Sequence, residues 1–325
     1  MSTHLSAPFV WFGGKSRAAP IIWQHLGTPN NYIEPFFGSG AILLGAPVIA
    51  RYETVNDKDG FVCNAWRAIT YAPAKVAHYA TWPLNENDLH ARHAWLLRKR
   101  KHLTARLSGD PTFYNAKIAG WWLWGIACWI GNGWCNGVGA WYVKKGKLVK
   151  RTTAKQEVSR DGVHMQGHSM VQAYRSGVAC YKNEEDLYRY MHALAERLQH
   201  VRVCCGNWSR VLGTTPSKNL GLTAIVLDPP YSADRTANVY AVDDMHVAKA
   251  VRKWAIKHGD DPQLRIVLCG YDKEHVMPAT WKRVRWTASG GYSRSKTTEN
   301  MNKFKETLWF SPHCVFHQTM TPLFY

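Results

Sequence analysis

A chain of 325 residues, 46% of them hydrophobic, is long enough for one large domain or a domain with an insertion, and too apolar for wholesale disorder. Its formal charge of +18, from 41 Lys and Arg against 23 Asp and Glu, points to a polyanionic partner, because basic side chains at phosphates drive nucleic-acid affinity; the plainer reading is a surface kept basic for solubility. Eight cysteines with no Cys-x-x-Cys pair exclude a zinc ribbon and a dithiol redox motif, and read as reduced thiols in a cytosolic compartment.

The start, Met1-Ser2-Thr3-His4, carries no basic then apolar run of a signal peptide. Trp11-Phe12 leads into Gly13-Gly14-Lys15-Ser16, and residues 18–26 read as a short helix with Pro20 in its first turn. Two glycines let the backbone approach a ligand, and Lys15 can reach an anionic group, but the P-loop spacing is missing. Asn31-Tyr32-Ile33-Glu34-Pro35-Phe36-Phe37-Gly38-Ser39-Gly40, followed by Ala41-Ile42-Leu43-Leu44, reads as strand, Gly-rich turn and helix start, the plan of a nucleotide-cofactor loop. The third glycine of the dinucleotide fingerprint is absent. Glu34 puts a negative charge where a pyrophosphate site would avoid one, so a cationic or amino-bearing cofactor fits better. Residues 53–57 form a strand ending in Asp57, spaced from Glu34 much as an acid that binds ribose hydroxyls would be. Its other role would be to cap a helix over 61–69.

Residues 87–107 look helical and are crowded with Arg92, Arg98, Lys99, Arg100, Lys101 and Arg106. Residues 118–143 hold no charge and six tryptophans; glycines and asparagines break the run, so a packed Trp-rich helix followed by a loop is expected rather than a membrane span. Lys144, Lys145, Lys147, Lys150, Arg151, Lys155 and Arg160 then form a basic stretch without apolar periodicity. It reads either as a solvated loop or as an arm that orders along DNA phosphates. Residues 185–198 are an amphipathic helix and 201–206 a strand leading to Asn207-Trp208.

The uncharged, β-branched run 222–227 reads as a buried strand with Asp228-Pro229-Pro230-Tyr231 at its carboxyl end, where open α/β sheets bind ligands. Two prolines remove two backbone donors and stiffen the turn. A carboxylate, free carbonyls and an aromatic face together suit a planar heterocycle bearing an amino group; an ordinary capped turn would look the same. Helix 247–258, strand 264–269 and a terminal hairpin of 281–286 with 307–310 follow, bracketing a basic loop that contains Arg294 and Lys296.

Gly-Gly-Lys, Glu-Pro-Phe-Phe-Gly-Ser-Gly, Asn-Asp and Asp-Pro-Pro-Tyr in this order resemble the DNA adenine methylase family of the D12 class, over roughly residues 8–70 and 200–310. The resemblance implies an α/β, Rossmann-like S-adenosylmethionine-dependent methyltransferase sheet with a terminal antiparallel hairpin and an inserted, mainly helical target-recognition region. It divides the chain into 1–75 (cofactor-binding core), 76–185 (insert) and 186–325 (catalytic core). The implied activity is methyl transfer to adenine N6 in double-stranded DNA, with the base flipped out, no metal, and a cytoplasmic setting in a bacterial or phage-infected cell. Asp228, Pro229, Pro230 and Tyr231 are the implied catalytic residues. The implied cofactor site is Trp11 to Lys15, Glu34 to Gly40, Asp57, Asn207 and Trp208, with Asn207 standing where the family commonly has an acid. The basic residues Lys144 to Arg160, with Arg294 and Lys296, are assigned to DNA. Cytosine N4 poses the same chemical problem and stays an alternative, as does a catalytically silent DNA-binding relative.

Overall fold

The computed structural model describes residues 5–9, 11, 13–83, 85–110, 112–129, 134–135, 141–144, 147–150, 184–231, 246–287 and 306–316. Its strands are β1 (Asn31–Glu34), β2 (Tyr52–Asp57), β3 (Trp141–Lys144), β4 (Lys147–Lys150), β5 (Val201–Cys205), β6 (Thr223–Leu227), β7 (Leu264–Tyr271), β8 (Lys282–Arg285) and β9 (Glu306–Phe310). Seven of them form one sheet in the order β5-β2-β1-β6-β7-β9-β8. From β5 to β7 all neighbours are parallel, and β9 runs antiparallel to both β7 and β8. The chain leaves β1 towards β2 and β5, then returns to β6 on the other side of β1. The strand order therefore reverses between β1 and β6, and a crevice opens at the carboxyl ends of those two strands.

Burial explains the strand sequences. Every residue of β1, β6 and β9 is buried, as expected of strands covered on both faces. On one face lie α1 (Ala19–Leu26), α3 (Gly60–Tyr71), α4 (Pro73–Ala80), α5 (Glu86–Gly109), α6 (Ala116–Cys128) and the helix Glu184–Leu198. A second cluster on the other face gathers Val251 and Ala255 of the helix Val247–His258 with Ile225, Leu227, Ile266, Trp281 and Trp309. Trp23, Trp66 and Trp122 are among the largest fully enclosed side chains of the first cluster; truncating any of them to alanine would cost about 3–5 kcal/mol. After β1 the expected helix start is a single turn, α2 (Ala41–Leu44).

The middle of the chain holds one feature that its sequence reading did not address and one departure from that reading. Arg92 is not a surface cation: it is 6% exposed, with its guanidinium 4.3, 4.8 and 4.9 Å from the rings of Trp124, Trp82 and Trp121. Arg100 lies over the Phe61 ring at 4.9 Å and 3.6 Å from Asp59. A guanidinium packs flat on aromatic faces in a way the helical charge count does not reveal. Second, residues 141–144 and 147–150, read as loop and basic stretch, form the antiparallel ribbon of β3 and β4. The β-branched and aromatic residues Trp141, Tyr142, Val143 and Val149 favour a pleated pair. Lys144, Lys147 and Lys150 lie on this ribbon; Lys145, Arg151, Lys155, Arg160, Arg294 and Lys296 lie outside the described residues. Helices α5 and α6 share the first core cluster with the helices of the sheet. Among the described residues no helix is long and apolar enough to cross a membrane.

Candidate active site

The cleft at the sheet's carboxyl edge has about 990 Å³ of space, part of it open to solvent. Its walls come from segments far apart in sequence: Trp11 with Gly13 to Lys15, Glu34 to Ser39, Asp57 to Asp59, Gly206 to Trp208, and Asp228 with Pro230. Phe12 lies outside the described residues; of the other sites expected for a cofactor, all but Gly40 line this cleft.

The turn after β1 is built to stay bare. Gly38 has φ +48° and Gly40 φ +69°, left-handed values that favour glycine. A β-carbon on Gly38 would sit 2.5 Å from the Trp11 ring, and one on Gly40 would sit 2.8 Å from Phe37. Asn56, at 1% exposure, donates to the carbonyls of Pro35 and Gly206 at 3.0 and 3.1 Å, stitching the turn after β1 to the turn after β5. Neighbouring Asp57 accepts from the Gly38 amide at 2.9 Å through Oδ2 and from the Asp59 amide at 2.8 Å through Oδ1. Capping falls instead to Asp59, which accepts from the Phe61 amide at 2.9 Å at the head of α3. Asp57 thus faces the cleft, where burial pushes its carboxyl up to about 6 against the pull of these amides.

Glu34, 3% exposed, accepts from the Tyr32 hydroxyl at 2.7 Å. Burial, with Asp228 and Asp57 close by, pushes it up to about 8 although Tyr32 stabilises its charge. Burial therefore favours the neutral acid here, and a cation beside it would favour the charged form. Phe36 and Trp208 stack with ring centres 6.3 Å apart. Asn207 spends its Oδ1 on the Ser209 amide and hydroxyl, at 3.0 and 2.9 Å. Two neighbouring carboxyl groups, a glycine-bearing turn that lines the cleft and aromatic faces fit a cationic cofactor carrying amino and hydroxyl groups.

Beside this half of the cleft sits a charged cluster. The Lys15 ammonium, 3% exposed, is 2.9 Å from Asp228 Oδ2 and donates to the Gly13 carbonyl at 2.7 Å. Burial alone would depress it, but Asp228, with Glu306 beyond, holds it above its ordinary value. Tyr231 is 8% exposed. Its ring lies under Lys15 at 5.2 Å and edge-on to Tyr271 at 4.7 Å. Its hydroxyl is 2.9 Å from Glu306 Oε2 and 3.2 Å from Asp228 Oδ1. Burial raises the Glu306 carboxyl, and Lys15 opposes the shift. Sequence reasoning missed both Glu306 and the bridging role of Asn56. The available signal for Glu306 was an acid opening the otherwise apolar strand Glu306-Thr307-Leu308-Trp309-Phe310. No group of three or more His, Cys, Asp or Glu among the described residues is placed to hold a metal ion.

Residues 11–116 match the family model of the D12 class N6 adenine-specific DNA methyltransferases, a family of enzymes that methylate adenine in DNA. The matched stretch holds the turn after β1 and the acid after β2, and ends before Asp228. No curated protein matches the chain.

Proposed function

We propose that this chain, whose residues 11–116 match the D12 class N6 adenine-specific DNA methyltransferase domain, transfers a methyl group from S-adenosylmethionine to the exocyclic N6 amine of an adenine flipped out of DNA. The observation that carries this reading is that Glu34 and Asp228, at the ends of the adjacent strands β1 and β6, line one cleft at the point where the strand order reverses. S-adenosylmethionine would supply an activated methyl on a sulfonium. Glu34, Asp57, the turn Phe36 to Gly40 and the face of Trp208 would hold it, with Asp57 meeting ribose hydroxyls and Glu34 offering negative charge.

The target amine is a weak nucleophile because its lone pair is delocalised into the ring. Two acceptors at its N–H bonds favour a tetrahedral nitrogen and restore that lone pair. Asp228 is assigned as one, and the Pro229 carbonyl as the other. Positioning, rather than proton abstraction ahead of transfer, is the protein's contribution. Extruding the base costs a few kcal/mol, and stacking of about 1–3 kcal/mol on an aromatic ring offsets much of it. That role is assigned to Tyr231. The basic residues from Lys144 to Arg160, with Arg294 and Lys296, are assigned to the DNA backbone.

The test is direct. Purified protein is incubated with methyl-labelled cofactor and DNA, and the digested nucleosides are read by mass spectrometry. N6-methyladenine is the expected product. N4-methylcytosine would reassign the target base, and no label in DNA would leave a DNA-binding chain without the activity.

A further inference from the structure

We propose that Glu306 is a positioning residue for methyl transfer: it draws the single hydroxyl proton of Tyr231 to itself and so leaves Asp228 Oδ1 free to accept from the target amine. This rests on the methyltransferase reading above. Asp228 has two carboxylate oxygens. Oδ2 is taken by the Lys15 ammonium at 2.9 Å. Oδ1 has one contact among the described residues, the Tyr231 hydroxyl at 3.2 Å. That hydroxyl also meets Glu306 Oε2, at 2.9 Å in a buried setting. A phenol has one proton to give, and two carboxylates compete for it. The shorter contact belongs to Glu306, so the proton points away from Asp228.

The fold makes this arrangement rigid. Glu306 opens β9 opposite Tyr271 of β7, and the Tyr271 ring packs edge-on against Tyr231. The Glu306 backbone carbonyl accepts from the Trp286 amide, and the Glu306 side chain is 7% exposed. Remove Glu306, and among the described residues the hydroxyl of Tyr231 has only Asp228 left to bond. The oxygen needed by the amine is then occupied by an internal donor, and the amine meets a weaker acceptor.

The test is a two-residue cycle in the full chain, read as the single-turnover methyl-transfer rate at saturating cofactor and DNA. Glu306→Ala should slow transfer at least tenfold while cofactor and DNA dissociation constants stay within about twofold. Tyr231→Phe, which keeps the ring and deletes the hydroxyl, should rescue it: the double variant should transfer within about threefold of Tyr231→Phe alone. Glu306→Gln, which keeps shape and an acceptor oxygen, should stay within about threefold of wild type, and it carries the test if the alanine variant does not fold. A double variant no faster than Glu306→Ala, or a glutamine variant as slow as alanine, overturns the role of Glu306 and leaves the methyltransferase reading intact. Wild-type protein that transfers no methyl to DNA overturns that reading, and the role of Glu306 with it.

Discussion

Lys15 and Asp228, far apart in the sequence, form an ion pair of 2.9 Å in which the lysine is 3% exposed and the aspartate 19%. The Gly-Gly-Lys turn thereby closes directly onto the acidic corner after β6, joining the first and last sequence motifs in one charge-balanced unit.

Deleting one partner of such a pair strands the other. Asp228→Ala should abolish methyl transfer and also lower stability by about 3–5 kcal/mol, because a buried ammonium loses its counter-charge. Asp228→Asn keeps the shape and should separate the effects: DNA binding by fluorescence anisotropy near wild type, transfer still lost. Wild-type turnover by either variant would remove Asp228 from the mechanism.

Glu34 makes both stability and cofactor affinity depend on pH. Its carboxyl titrates near 4.5 in the unfolded chain and near 8 when folded, so between those values the folded protein binds a proton that the unfolded chain does not. By linkage, its contribution to stability falls as pH rises through this window. Asp57, raised to about 6, adds the same sign over the lower part. A cation in the cleft needs the ionised form, so sulfonium cofactor affinity should rise with pH, by up to about tenfold per unit below pH 8. Calorimetry across pH 6.5 to 8.5 should show proton release for the wild type and none for Glu34→Gln; the neutral thioether product should show little pH dependence.

Asp57 and Gly38 are coupled through the 2.9 Å amide contact. Asp57→Ala should raise the cofactor dissociation constant about tenfold or more, and it should also loosen the turn that Gly38 makes. Gly38→Ala must place a methyl against Trp11 at a positive φ, and should weaken cofactor binding at least as much. Isothermal titration showing unchanged affinity in Asp57→Ala would reject the ribose assignment.

Basic residues that track phosphates reveal themselves in salt. Replacing Arg151, Lys155 and Arg160 by alanine should weaken binding to all DNA sequences alike. The slope of log affinity against log salt should fall by about 0.9 for each residue that contacts a phosphate. An unchanged slope would return this stretch to the solvent.

The sequence alone determined the elements that depend on local pattern. Alternating and β-branched runs marked the strands of the sheet, Pro20 and the amphipathic spacing marked helices, and the order of short motifs marked the cofactor edge and the acidic corner. It left Asp57 with two possible roles, since an acid between a strand and a helix suits a cap and a ligand equally; the fold gives the cap to Asp59 and lines the cleft with Asp57. Tertiary structure alone decided which charges are spent internally. Arg92 is caged by tryptophans from two separate stretches, and Glu306 meets Tyr231 beside Asp228 only because β9 inserts beside β7. Pairing across a sheet and packing between helices join residues at no fixed sequence spacing, so periodicity along the chain carries no trace of them.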